Sequence, residues 1–243
     1  ADVVADVPVL ASGLSNRNLL YNGAMQVRQR GTSTEGITSS GYYTADRWNV
    51  ANTTQGTWTQ TVETDAPTGS GFQKSLKMFC TIADAAPDAN DQVRVAQLLE
   101  GQDIQRVSKG TASAQELMLS FWVKSNVTGT YTCELFDSDN TRQVSASYSV
   151  TASATWERKT ITFPADTTGA FDNDNANSLT VNWYLGAGSN RTSGTLNTAW
   201  AANTNANRAV GQTNLAAARN NYWQITGVQL EVGPTATGFE FKS

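Results

Sequence analysis

Tyr222-Trp223-Gln224-Ile225-Thr226-Gly227-Val228-Gln229-Leu230-Glu231-Val232 alternates apolar and polar side chains for most of its length. Successive side chains of a strand point to opposite faces, so this pattern predicts a strand with one face in a core. Working outward, the same period recurs in Ser147-Tyr148-Ser149-Val150-Thr151, in Glu157-Arg158-Lys159-Thr160-Ile161-Thr162-Phe163 and in Leu179-Thr180-Val181-Asn182-Trp183-Tyr184-Leu185. Glu116-Leu117-Met118-Leu119-Ser120-Phe121-Trp122-Val123 is nearly continuously apolar, as expected of a strand central in a sandwich or buried on both faces. Val, Thr, Ile and aromatic residues dominate these runs and suit a pleated, half-buried surface. Between them lie Gly-, Asn-, Asp- and Pro-rich turns such as Ala66-Pro67-Thr68-Gly69-Ser70-Gly71 and Gly186-Ala187-Gly188-Ser189-Asn190. Many short strands punctuated this way predict an all-β fold, a jelly-roll β-sandwich. Val93 to Glu100 fits a strand and Gly101 to Val107 one or two helical turns; a continuous helix competes. Leu215 to Arg219 is a second short helix candidate.

The 243 residues are 39% hydrophobic and 16% charged, and none is histidine. Thr, Ser and Asn together contribute 72 residues, so neutral hydroxyls and amides cover the surface where charged side chains usually would. Without histidine there is no Ser-His-Asp triad, no Cys-His pair and no imidazole metal ligand. The net charge of −4 argues against a phosphate-tracking nucleic-acid binder and against adsorption to anionic lipid. No apolar run is long enough to insert in a membrane as a helix. Ala1 to Arg17 lacks periodicity and reads as an N-terminal arm that docks through Val3, Val4, Val7, Val9 and Leu10; residues 18–243 read as one domain. The arm has no signal-peptide pattern. An initial Ala fits a complete chain that lost its start Met, or an excised piece. Cys80 and Cys133 lie in alternating runs, as two core thiols or as one disulfide.

Carboxylates and aromatics are the remaining candidate chemistry. Asp84/Asp88/Asp91, Asp137/Asp139 and Asp172/Asp174 sit in turn-like stretches, where solvated turn residues, a calcium loop and a hydrolytic pair compete. None follows an EF-hand spacing, and no metal ligand set is assigned. Trp48, Trp58, Trp122, Trp156, Trp183 and Trp223 fall in strand patterns, so most should be core. Trp200 lies among polar loop residues, and Tyr42 and Tyr43 in a turn-like stretch. Exposed rings beside Asn, Asp and Thr suit a sugar platform, so Tyr42, Tyr43 and Trp200 are the candidate glycan-binding residues.

Five blocks occur in order: Asn18-Leu19-Leu20-Tyr21-Asn22-Gly23-Ala24-Met25-Gln26-Val27-Arg28-Gln29-Arg30-Gly31, Tyr43-Thr44-Ala45-Asp46-Arg47-Trp48, Ser120-Phe121-Trp122-Val123-Lys124-Ser125, Trp156 to Pro164, and Ile225 to Gly233 with Ala236-Thr237-Gly238-Phe239-Glu240. As a set they resemble a module of tail-fibre and other virion proteins of phages, and more distantly carbohydrate-binding modules of the jelly-roll type. The first resemblance implies a non-enzymatic structural protein on the virion surface, a capsid decoration or tail-attached protein. It would partner other virion structural proteins, form a homotrimer and contribute to host adhesion. The second implies the fold and a host-surface glycan as ligand, in a receptor-recognition module of a tail fibre. A polysaccharide depolymerase using Asp137 and Asp139 is the third reading. In those binding modules an opening Glu and a last-strand Asp often ligate a structural calcium. Here Gln26 and Thr226-Gly227 stand near those places, so no cofactor is expected.

Overall fold

The computed structural model describes residues 16–241; the arm positions Val3, Val4, Val7, Val9 and Leu10 lie outside the described residues. Two antiparallel sheets face each other. The six-stranded sheet runs β1 (Ser33–Ile37), β4 (Thr57–Glu63), β5 (Ser75–Ile82), β13 (Tyr222–Val232), β7 (Leu117–Ser125), β10 (Glu157–Phe163). The seven-stranded sheet runs β12 (Ala201–Ala202), β9 (Arg142–Val150), β8 (Gly129–Asp137), β11 (Asn177–Ala187), β6 (Gln92–Glu100), β3 (Asn49–Thr53), β2 (Gly41–Tyr42). Strands distant in sequence are neighbours in both sheets, which gives the jelly-roll sandwich predicted from the alternating runs.

The core is the set of inward residues of both sheets. Trp58, Leu76, Met78, Phe121, Val123, Trp223 and Ile225 from one meet Val95, Tyr131, Cys133, Val181 and Trp183 from the other, all fully buried. Phe121 packs edge-on against Tyr148 and Trp183, with ring centroids 5.1 and 6.0 Å apart. Each such ring removes enough apolar area from water to contribute about 1.5–3 kcal/mol. The indole N–H of Trp223 donates to the Tyr148 hydroxyl at 3.1 Å, one polar link across the apolar layer. Of the six Trp residues in strand patterns, Trp48, Trp58, Trp183 and Trp223 are core and Trp122 and Trp156 are not. Trp122 is half-buried on the outer face of β7, because its inward neighbours are Phe121 and Val123.

Cys80 lies on β5 and Cys133 on β8, in different sheets, and both are buried free thiols, so the thiol reading holds over the disulfide. Burial, with a smaller contribution from Asp84, pushes the Cys80 thiol up to about 11. The strand predicted from Val93 ends at Glu100 and no continuous helix forms. Two 3-10 turns follow, Gly101–Asp103 and Gln105–Val107. A side chain at Gly101 would place its Cβ 1.9 Å from the Asp172 carbonyl oxygen, so the chain must turn on glycine there. The second helix candidate is one 3-10 turn, Leu215–Ala217, capped by the Asn214 side chain, which accepts from Ala216 N.

The first and last of the five sequence blocks meet in space. Leu19 N donates to Leu230 O at 2.8 Å, and the Asn18 amide oxygen accepts from Leu230 N at 3.0 Å while its amide donates to Val228 O at 3.1 Å. Gly23 O accepts from Val228 N, so close that a Cβ at position 23 would lie 2.1 Å from Val228 O. The segment entering the sandwich is thereby sewn onto β13.

Candidate functional site

Cross-strand pairing sets the outer face of the seven-stranded sheet. One row runs Tyr42, Asn49, Ala96, Asn182, Glu134, Ser145, each opposite the next. Residues directly opposite share a face, so this row crosses most of the sheet. The stretch 188–214 roofs the β8–β9 half of that face: Ser145 N donates to Asn197 O at 2.6 Å and Ser145 Oγ to Arg208 O at 2.9 Å. Beneath this roof Glu134 is fully buried and accepts from Arg208, Asn182 and Tyr184. The β2–β3–β6 half stays open, and a groove of about 390 Å³ lies there, lined by Gln29, Arg30, Tyr42, Asp46, Arg47 and Leu98.

Each lining residue is held by neighbouring structure. Tyr42 is the outward residue of the two-residue strand β2 and is 41% exposed. Asp46 N donates to Val27 O at 3.0 Å and Asn22 Nδ2 to Asp46 O at 3.1 Å, fixing the β2–β3 loop. Trp48, fully buried against Trp183 at 5.4 Å, anchors its end. Between them Arg47 adopts φ 71°, a left-handed conformation unusual for a side-chain-bearing residue that turns it outward. Arg30 Nη1 lies 2.9 Å from Asp46 Oδ1, and its guanidinium 5.8 Å from the Tyr42 ring centroid. Arg47 lies 5.0 Å from the Tyr21 ring centroid and 3.8 Å from Glu100. Burial, then the hydrogen bond to Asp103, raises the Tyr21 hydroxyl above its ordinary value, so it stays a neutral donor. A planar ring, an apolar floor from Leu98 and paired donors and acceptors from Arg30, Asp46 and Arg47 can stack on a sugar's CH face and bond adjacent hydroxyls. Both guanidiniums face carboxylates, so the groove carries little net charge.

The structure separates the three aromatic candidates. Tyr42 lines the groove. Tyr43, its side chain on the other face of the chain, packs against the core and donates to Ser39 O at 2.8 Å. Trp200 is half-buried just before β12, at the opposite edge of the same sheet, six strand spacings or roughly 29 Å from Tyr42. Its indole donates to Pro164 O at 2.9 Å. Arg30, Asp46 and Arg47, which complete the groove, were not singled out by the sequence reading, although Asp46 and Arg47 directly precede an anchoring Trp.

The depolymerase residues are placed differently from expectation. Asp137 is fully buried, with Lys109 Nζ at 2.5 Å, and Asp139 accepts from Asp172 N at 2.9 Å. Asp137 therefore has no access to a substrate. In the other clusters Asp91 accepts from Asp88 N at 2.8 Å and Asp174 from Ala176 N at 2.9 Å, which is turn capping. The structural calcium of jelly-roll binding modules does not fit: Gln26 is exposed and donates to Ala24 O, and Thr226 offers a neutral hydroxyl. Among the described residues, no three His, Cys, Asp or Glu side chains group to hold a metal ion.

No protein-family model matches the chain, and no curated protein sequence matches it. Among solved structures it is similar to the enzymatically active domain of Bacteriophage CBA120 tailspike protein 4, with 14% identity and a TM-score of 0.47 over 88% of this chain. It spans 21% of that tailspike chain. It is also similar to TmCBM61 in complex with β-1,4-galactotriose, with 11% identity and a TM-score of 0.41, covering 89% of this chain and 99% of that one. A third similarity is to the family 11 carbohydrate-binding module from Clostridium thermocellum in complex with a β-1,3-1,4-mixed-linked tetrasaccharide. There the identity is 10% and the TM-score 0.41, covering 83% of this chain and 95% of that one. At such identities the likeness concerns the fold and leaves the ligand to be argued from the groove.

Proposed function

We propose that this chain is a non-enzymatic β-sandwich of the phage virion surface that binds a neutral glycan in the Tyr42 groove. The observation that carries the glycan reading is the groove itself: an exposed ring on a short edge strand, an apolar floor, and Arg and Asp groups already matched in charge. A neutral sugar offers hydroxyls to those groups without placing an unpaired charge among them. The non-enzymatic reading is supported by the engagement of the two hydrolytic candidates, Asp137 against Lys109 and Asp139 against a backbone N–H. The virion reading is supported by the five sequence blocks, two of which meet where the entering segment joins β13. Homotrimer formation and contact with other virion proteins belong to the same proposal.

A neutral-glycan array probed with the whole chain and with Tyr42→Ala tests the site. The expected outcome is binding by the whole chain that falls roughly tenfold or more when the ring is removed. Unchanged binding by Tyr42→Ala, or none by the intact chain, would remove the glycan reading and leave the structural one. That remaining reading is checked separately: purified particles lacking this chain would overturn it.

A further inference from the structure

A second groove lies on the opposite side of the sandwich, on the outer face of the six-stranded sheet. It measures about 400 Å³ and is bounded by Trp122, Arg158, Phe72 and Phe239, with Ser120 on its floor. Register places its central groups side by side. Arg158 of β10 stands opposite Trp122 of β7, which stands opposite Thr226 of β13. Beyond Thr226, β13 bulges at Gly227, with φ 61°. The Phe72 ring seats directly on Gly227, where a Cβ would lie 2.5 Å from it. Phe239 of the C-terminal segment closes the other side, 4.8 Å from Phe72 in an edge-on contact. That segment is pinned to the sheet: Gln229 Oε1 accepts from Glu240 N at 2.7 Å, and Glu231 accepts from Thr237 N at 3.0 Å. The groove is therefore built from the fold and does not depend on a loose tail.

The pairing of Trp122 with an uncompensated arginine in this groove points to a ligand. Arg158 is exposed and makes no ion pair or side-chain hydrogen bond among the described residues. Its neighbour on the same face, Lys124, is held by Asp65 at 2.5 Å, and Trp156 donates to the same carboxylate at 3.1 Å.

We infer that this groove binds a sugar bearing a carboxylate, a uronic-acid-type unit whose ring lies on Trp122 and whose carboxylate pairs with Arg158. A free guanidinium beside an aromatic face supplies planar two-pronged recognition of a carboxylate and a surface for the pyranose ring. The charge pattern separates this groove from the first. There each arginine faces a carboxylate, whereas here the guanidinium is unpaired. The second site does not rest on the Tyr42 reading, and one molecule would engage a mixed neutral and acidic polysaccharide through both sheets.

Titration calorimetry with tetragalacturonate tests this. The intact chain is expected to bind it. Arg158→Gln should weaken binding roughly ten- to hundredfold. The fully methyl-esterified oligomer should lose affinity similarly, and added salt should weaken the acid form. Tyr42→Ala should bind the acid as the intact chain does, so failure of one groove leaves the other readable. Because Trp122→Ala disturbs a strand, the exposed Arg158→Gln is the primary variant, and the ligand-induced change in tryptophan fluorescence, expected in the intact chain and diminished in Trp122→Phe, is the second measurement. Unchanged affinity in Arg158→Gln, loss of acid binding in Tyr42→Ala, or no binding to tetragalacturonate, an oligoglucuronate or sialyllactose would overturn the inference.

Discussion

Replacing Lys109 with methionine is expected to destabilise the protein by about 3–5 kcal/mol, because it strips a buried carboxylate of its counter-ion. Lys109 is 4% exposed although it sits in a turn-like stretch. Its ammonium lies 2.5 Å from Asp137 Oδ2 and 3.1 Å from Asp166 Oδ2, and donates to Thr168 O at 2.9 Å and Gly169 O at 2.7 Å. The rings of Phe171 and Trp200, with centroids 5.2 and 5.1 Å away, exclude water from the site. The ammonium thus occupies a cage of oxygen acceptors, tying β8 to the 166–171 segment. Methionine fills much of the volume and supplies no charge, leaving Asp137, fully buried, with only Asn140 as donor among the described residues. Urea unfolding should show the loss. The double variant Lys109→Met/Asp137→Asn should be less destabilised than the sum of its single changes, since the two groups interact directly. A single-variant loss below about 1 kcal/mol would show that the cage is not a structural centre. Acid stability gives a second readout. Burial raises the Asp166 carboxyl, but the Arg142 hydrogen bonds, then Thr168 N and Lys109, outweigh it and hold it below its usual range. Its stabilisation is therefore complete above the unfolded carboxylate value of about 3.9 and is lost as pH falls through the lower folded value. Without Lys109 that folded value rises, so the acid limb of unfolding should move to higher pH.

The strand pattern was legible because alternation reports which side chains share a face. The runs at residues 157–163, 179–185 and 222–232 lie wholly in strands and the run at 147–151 does so up to Val150, and the Trp residues with inward register, Trp183 and Trp223, are core. Alternation does not report whether an outer face is covered. Glu134 alternates with Cys133 and Leu135 and reads as a solvent-facing residue of β8, yet the 188–214 stretch roofs it completely. Lys109 was invisible for a related reason: its oxygen acceptors lie 28 to 60 positions away along the chain, and no local spacing joins them. The groove was half legible. Tyr42 stood out as a loop aromatic, but Trp200 has the same local appearance and ends at the far sheet edge, because strand order, not sequence neighbourhood, sets which loops meet. Arg30, Asp46 and Arg47 have the composition of ordinary solvated residues. Only the contact between the Arg30–Val27 segment and the β2–β3 loop, through Asp46, brings them to one groove.

Arg208→Met is expected to cost about 3–5 kcal/mol, and to loosen the roof over the β8–β9 half of the seven-stranded sheet first. Glu134 Oε1 accepts from Arg208 Nε at 2.6 Å, and Oε2 from Arg208 Nη2 at 2.8 Å, a two-pronged pair in a site closed to water. Burial lowers the affinity of the guanidinium for its proton, but the Glu134 charge and hydrogen bonds outweigh it and raise it, so Arg208 keeps its positive charge. Asn182 Nδ2 at 2.9 Å and the Tyr184 hydroxyl at 3.3 Å complete the carboxylate's shell. With Arg208 gone those two neutral donors must hold a buried charge alone. Arg208→Lys keeps the charge but loses the planar fork, so its loss should be smaller. Arg208→Met/Glu134→Met removes both charges and should be more stable than Arg208→Met alone, since no uncompensated ion remains. Hydrogen exchange locates the effect: the amides of Gly194 and Asn197, bonded to Ala206 O and Asn207 O, should exchange faster than those of β13. The disturbance has a route to the open half, because Arg94 Nε donates to Asn182 Oδ1 at 2.9 Å and Arg94 lies on β6 beside the Tyr42 groove's strand pair. If Arg208→Met matched the double variant in stability, the carboxylate would already be compensated by Asn182 and Tyr184, and the ion pair would not be what holds the roof.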